Sequence, residues 1–239
     1  ISPNALTFIG LLINIVAALF FGFARVRNAD RMFLYAGLII IGAGIFDMVD
    51  GRVARQTNQV SVFGAFFDSV IDRYSDVVIF FGLLVFYARG NRLFYVGLVA
   101  FVMTASLMVS YTRARAEALI GSCKVGFMER PERIVLFMIG AFTNRMAAVM
   151  WVIGVLSIVT VLNRIQYTYL ELTGRPQPRR GGLTGLFVRA FYWTDERATV
   201  PYDLWVLAIL AFVWITPPTW LGDPMAPNGQ GVLQWLMGR

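Results

Sequence analysis

Four carboxylates between two apolar runs are the residues of this chain whose types and spacing point most directly to chemistry. They lie in FDMVDGRVARQTNQVSVFGAFFDSVIDRYSD, from Phe46 to Asp76. Asp47 and Asp50 stand three residues apart, and Asp68 and Asp72 stand four apart, so on helices each pair shares one face. Each pair adjoins a run long enough to cross a bilayer. Acids gathered at a membrane boundary repel one another and lose hydration, so they take up protons or bind cations. A divalent-metal site is the sharper reading. A solvated acidic loop is the plainer one, and Phe46, Phe63, Phe66 and Phe67 speak against open water.

Composition narrows the chemistry. The chain has 239 residues, 58% of them hydrophobic and only 15% charged, and several apolar runs approach span length. That pattern is an all-α integral membrane protein. There is no histidine, which excludes imidazole acid–base catalysis, Ser-His-Asp sites and histidine metal ligation. Cys123 stands alone, so no intrachain disulfide forms. Ligation by carboxylates alone favours hard cations such as Mg²⁺, Mn²⁺ or Ca²⁺. The net charge is +7, and every basic residue but Lys124 is arginine. These arginines read as flanks of membrane spans rather than as a nucleic-acid surface.

The elements that must position the acids follow from the apolar runs. Ser2-Pro3-Asn4 starts span 1, which runs from about Ala5 to Ala24. Span 2 covers about Met32 to Val49 and ends on Asp47 and Asp50. After a polar turn, Gln56 to Ser61, span 3 covers about Val62 to Tyr87 and opens on Asp68 and Asp72. Both acid pairs therefore fall on one side of the membrane. Span 4, about Leu93 to Ser110, continues into a polar helical extension carrying Arg113 and Arg115. The short span 5 covers about Ile134 to Phe142. Span 6, about Met146 to Leu162, is closed by Asn163 and Arg164. Residues 175–185 read as a Gly/Pro/Arg-rich loop, and Leu186 to Trp193 as an interfacial amphipathic segment. Asp203 to Leu221, broken at Pro217-Pro218, reads as a seventh span or a re-entrant segment. Basic residues concentrate on the acid side, which assigns that side to the cytoplasm. The expectation is six transmembrane helices around a cytoplasmic-side polar cavity.

Acids and arginines on one side suit a phosphorylated substrate. Metal held by carboxylates neutralises phosphate oxygens, and the guanidinium fork donates two hydrogen bonds at once. One acid could be spared from ligation to act as general base. Arg113 and Arg115 have a plainer reading as a surface salt-bridge network with Glu117 and the Glu129–Arg133 cluster. Gly51 and Gly64 have one too, as helix-packing positions.

The run Asp47-x2-Asp50-Gly51-x2-Ala54-Arg55-x8-Gly64-x3-Asp68-x3-Asp72 resembles the signature of the CDP-alcohol phosphotransferases. The resemblance covers about Ser2 to Arg164. It implies an integral-membrane enzyme, commonly a homodimer, that moves a phosphoalcohol group from a CDP-linked donor to a hydroxyl and releases CMP. By that match Asp47, Asp50, Asp68 and Asp72 hold two Mg²⁺ or Mn²⁺ ions, and Asp72 also serves as the base. Gly51, Ala54 and Arg55 line the CDP site. DRYSD at 72–76, SYTRARAE at 110–117 and GFMERPER at 126–133 are similar to phosphatidylinositol phosphate and archaetidylinositol phosphate synthases. The resemblance thus implies a basic pocket for inositol 1-phosphate, built from Arg113 and Arg115, from Arg130 or Arg133, and from Arg164. The donor would be CDP-diacylglycerol or a similar CDP-lipid. Residues 1–170 would form the transferase domain and 171–239 a C-terminal extension. Phosphatidylglycerophosphate synthesis from glycerol 3-phosphate is the nearest alternative activity. A divalent-cation transporter is the alternative from another class, and it would have no use for the arginines.

Overall fold

The structure, a computed structural model, describes residues 3–56, 61–176 and 200–223. Every element among them is helical: α1 (Pro3–Phe23), α2 (Ala29–Gln56), α3 (Val62–Arg89), α4 (Leu93–Ile120), α5 (Arg130–Thr143), α6 (Met146–Thr173), α7 (Val200–Ile215) and α8 (Pro218–Leu221). A single 3₁₀ turn, Val26–Asn28, joins α1 to α2. The expected loop at 175–185 lies outside the described residues beyond Pro176, as does the amphipathic segment at 186–193.

Four helices are long and apolar enough to cross a membrane, over Asn4–Phe23, Ala29–Asp47, Leu93–Ile120 and Met146–Thr173. At 1.5 Å per residue, the 28 residues of α3 extend about 42 Å, longer than a hydrocarbon core of about 30 Å. Its charged first half keeps it out of the purely apolar class. The 14 residues of α5 reach only about 21 Å. The Val200–Leu221 run breaks at Pro217-Pro218, as proline chemistry demands. Span 6 departs most from expectation. It continues beyond Asn163 and Arg164 to Thr173, and both residues are buried inside it. Their polarity suggested a membrane exit; Arg164 instead donates to the Val125 and Val109 carbonyls and to Glu129 inside the fold.

The chain divides into two compact units. The first holds residues 3–56, 61–103, 137–146 and Asp223 of the described set. In it α1 packs against both α2 and α3. A Cβ at Gly82 would collide with the Ala18 backbone, so α1 and α3 approach as only glycine allows. A chain of edge-to-face rings (Phe21–Phe33 at 4.7 Å, Phe33–Phe86 at 5.0 Å and Phe86–Tyr87 at 5.2 Å between centroids) fills the same core. Arg89 closes α3 by donating to the Gly22 carbonyl at 2.8 Å. Phe8, Leu12, Val16, Leu19 and Phe23 form an exposed apolar stripe along α1, as a lipid-facing surface requires.

The second unit holds residues 104–136, 147–176 and 200–222 of the described set. Its connecting segment 121–129 is pinned at several points. Gly121 and Gly126 take positive φ angles of 78° and 94°. A Cβ at Gly126 would collide with Thr160, whose hydroxyl accepts from the Met128 amide at 3.1 Å. Cys123 and Val125 pack with Ala116 into a small buried cluster. The ring of Tyr202, in α7, lies 5.4 Å from that of Phe127, and its hydroxyl donates to Glu132 at 3.3 Å.

Candidate active site

Three of the four signature aspartates come together in the first unit. Asp47 lies near the middle of α2, while Asp68 and Asp72 lie one turn apart on α3. All three are half-buried, and one carboxylate oxygen from each falls within 4.8 Å of the others. Local structure explains how α3 starts where it does. Ser61 caps it, its hydroxyl accepting from the Gly64 amide at 2.9 Å. A Cβ at Gly64 would stand 3.0 Å from that hydroxyl and 3.5 Å from Asn4 Oδ1. The signature glycine therefore makes room for the cap and for the first turn of α1.

Sequence reasoning missed a further neighbour of the acids. A Cβ on Gly10 of α1 would lie 3.9 Å from Asp47 Oδ1. Gly10 and Asn14 sit one turn apart on a buried face of α1, and that small-polar pair inside an apolar span was the available signal. Arg73 borders the triad: its NH1 donates to the Ser69 carbonyl and lies 3.9 Å from Asp72 Oδ2.

The donor set fits a hard divalent ion. Every ligand atom on offer is a carboxylate oxygen, and three such oxygens within 4.8 Å can face one centre. Asp50, Gly51, Ala54 and Arg55 follow Asp47 on the last turns of α2; their side chains lie outside the described residues.

Three of the five candidate acceptor arginines, Arg113, Arg133 and Arg164, lie in or beside a polar network in the second unit. Arg113 Nε donates to Glu117 at 3.0 Å, and its NH1 donates to Glu129 Oε1 at 2.8 Å. The same Glu129 oxygen accepts from Arg164 NH2 at 3.1 Å. Arg164 Nε donates to the Val125 carbonyl at 3.0 Å, and its NH1 to the Val109 carbonyl. Arg164 and Arg133 are each only 1% exposed, and Arg133 NH1 reaches the Met128 carbonyl at 3.4 Å. Such burial of charge is tolerable only with partners of this kind. Arg130, on the first turn of α5, is half-buried, while Arg115 is exposed on α4. Burial pushes the Cys123 thiol up, with the nearby Arg164 charge opposing it.

Residues 1–163 match the sequence profile of the CDP-alcohol phosphatidyltransferase family, and the chain belongs to that family. It is a membrane-embedded transferase of phosphate-containing groups. The archaetidylinositol phosphate synthase of Pyrococcus horikoshii is 38% identical over 171 residues, 69% of this chain and 82% of that protein. The phosphatidylinositol phosphate synthase of Streptomyces avermitilis is 33% identical over 182 residues, 69% of this chain and 71% of that protein. The fold is similar to that of the Mycobacterium tuberculosis phosphatidylinositol phosphate synthase solved with CDP-DAG bound. That comparison has a TM-score of 0.62 and 26% identity, over 75% of this chain and 92% of that one. The same enzyme was also solved in complex with manganese and citrate, with a TM-score of 0.61.

Proposed function

We propose that this chain transfers the phosphatidyl-type group of a CDP-lipid to the hydroxyl of inositol 1-phosphate, releasing CMP. The observation that carries the reaction class is the Asp47–Asp68–Asp72 triad, set inside the family signature. The acceptor assignment draws on the arginines at 113, 115, 130, 133 and 164 and on relatives named for inositol phosphate products. A phosphate on the acceptor suits the guanidinium fork, which donates two hydrogen bonds at once.

Asp47, Asp50, Asp68 and Asp72 would hold Mg²⁺ or Mn²⁺, two ions in the full site. Bound there, the metal supplies charge neutralisation at the diphosphate oxygens and at the CMP leaving group. Gly51, Ala54 and Arg55 receive the cytidine diphosphate part of the donor. Asp72 takes the proton of the acceptor hydroxyl on a carboxylate oxygen. That oxygen of the acceptor then forms its bond to phosphorus as the bond from phosphorus to the CMP oxygen breaks. In this reading α3 and α5 join the four apolar helices as spans, and the acids face the cytoplasm. Residues 1–170 form the transferase domain, 171–239 an extension, and two copies associate.

The test is CMP release by purified protein given CDP-diacylglycerol and Mg²⁺ with a panel of acceptors. Inositol 1-phosphate is expected to support turnover, and glycerol 3-phosphate, inositol and serine are not. Turnover with glycerol 3-phosphate alone would replace the assignment with phosphatidylglycerophosphate synthesis. Metal flux into liposomes without CMP formation would replace it with transport.

A further inference from the structure

We propose that the C-terminal extension is a strap on α5, fastened by Tyr202 at the first turn of that helix and by Asp223 at the turn just past its last residue. The extension lies beyond residues 1–163, which match the family profile. The strap is therefore an addition to the transferase fold and does not depend on the acceptor assignment.

The length of α5 explains why it needs fastening. Its 14 residues reach about 21 Å, against a hydrocarbon core of about 30 Å. A span of that length ends inside the apolar layer, where polar groups need partners from the protein. At the first turn, Glu132 is half-buried and accepts from the Tyr202 hydroxyl at 3.3 Å. The Tyr202 ring stands 5.4 Å from that of Phe127, three residues before α5 begins.

The other end carries a buried charge. The chain turns at Asn144, with a φ of 55°, and Arg145 follows at only 9% exposed. Burial pushes its guanidinium below the usual range, and the charge of Asp223 opposes that push. Asp223 is itself only 9% exposed and belongs, with Asn144 and Arg145, to the first compact unit. Its charge also reaches Tyr87, a fully buried residue near the end of α3 whose ring stacks on Tyr95 at 4.8 Å. Opposite charges buried together support each other, and either alone is costly.

The extension is built to deliver that acid. Pro217-Pro218 stops α7 and starts α8. Gly222 then takes a left-handed φ of 62°, and its amide closes α8 by donating to the Thr219 carbonyl at 3.2 Å. The next residue is Asp223. Between the two fastenings, Val213 and Pro218 are buried.

Two experiments on the full chain in detergent test the strap. The first is a double-mutant cycle read as unfolding temperature. Asp223→Asn removes the carboxylate that opposes the burial of Arg145 and is expected to lower that temperature by roughly 6–12 °C. Arg145→Met is expected to lower it as well. Together they are expected to lose clearly less than the sum of the two, because neither charge is then stranded. Losses that simply add mean that Asp223 and Arg145 do not act on each other, and overturn the proposal. The second experiment is hydrogen exchange of the α7 amides. Tyr202→Ala and Asp223→Asn each leave one fastening in place, so each alone is expected to speed exchange modestly. The double variant is expected to speed it by more than the product of the two. A double variant that does no more than that product means the two ends do not share one load, and the strap is contradicted. Should Arg145→Met not fold, the exchange experiment alone decides the question.

Discussion

The acid cluster and the arginine cluster are built on opposite plans. Asp47, Asp68 and Asp72 place three like charges within 4.8 Å. Arg73, 3.9 Å from Asp72 Oδ2, offsets part of that charge, and a bound cation would offset more. Arg113 and Arg164 are instead interleaved with Glu117, Glu129 and two backbone carbonyls, and are largely compensated within the fold. The first cluster is a site that calls for a cation. The second is a framework of guanidiniums held by carboxylates and backbone carbonyls. A loss in the first should therefore stop chemistry with the fold intact, and a loss in the second should disturb the fold and the choice of acceptor together.

Breaking the acid cluster gives the largest expected effect. Asp72→Asn removes the proposed base and is expected to lower turnover by roughly 10²–10⁴-fold, with an unchanged melting profile in detergent. EDTA treatment of the wild type is expected to abolish CMP release, and added Mg²⁺ or Mn²⁺ to restore it. Breaking the arginine framework should show up as stability first. Arg164→Ala breaks the buried ion pair with Glu129, removes the side-chain donor to the Val125 and Val109 carbonyls, and is expected to cost about 3–5 kcal/mol, read as a drop in unfolding temperature. Gly126→Ala tests the same framework from the backbone. Its φ of 94° and the collision of its Cβ with Thr160 predict a loss of about 1–3 kcal/mol. The smallest effect is expected at the rim: Tyr202→Phe removes one long hydrogen bond to Glu132 and should cost about 1 kcal/mol or less.

The two clusters also differ in how openly the sequence declared them. Spacing alone put Asp68 and Asp72 on one helical face, and the flanking apolar runs brought Asp47 to the same membrane side. Short-range periodicity suffices where a site is built from adjacent helices. Proline at 217 and 218 likewise announced the break after Ile215. The arginine framework depends on contacts across 16, 35 and 55 residues of chain, which no local pattern encodes. Asn163 and Arg164 looked like the end of a span because a charge in an apolar run ordinarily marks an exit. Arg164 is held inside by the Val109 and Val125 carbonyls, backbone groups with no sequence signature. Gly10 was hidden for a similar reason: its nearness to Asp47 is a contact between two helices, which local sequence does not encode.

The division of labour between the clusters is tested most directly by one assay on two variants. CMP release from CDP-diacylglycerol is measured for Asp72→Asn and Arg113→Ala, each with inositol 1-phosphate and with free inositol at high concentration. Asp72→Asn is predicted to lose CMP release with either acceptor. Arg113→Ala is predicted to keep the reaction but lose most of its preference for the phosphorylated acceptor. An Arg113→Ala enzyme that still prefers inositol 1-phosphate as strongly as the wild type, or an Asp72→Asn enzyme that still turns over, would contradict the account.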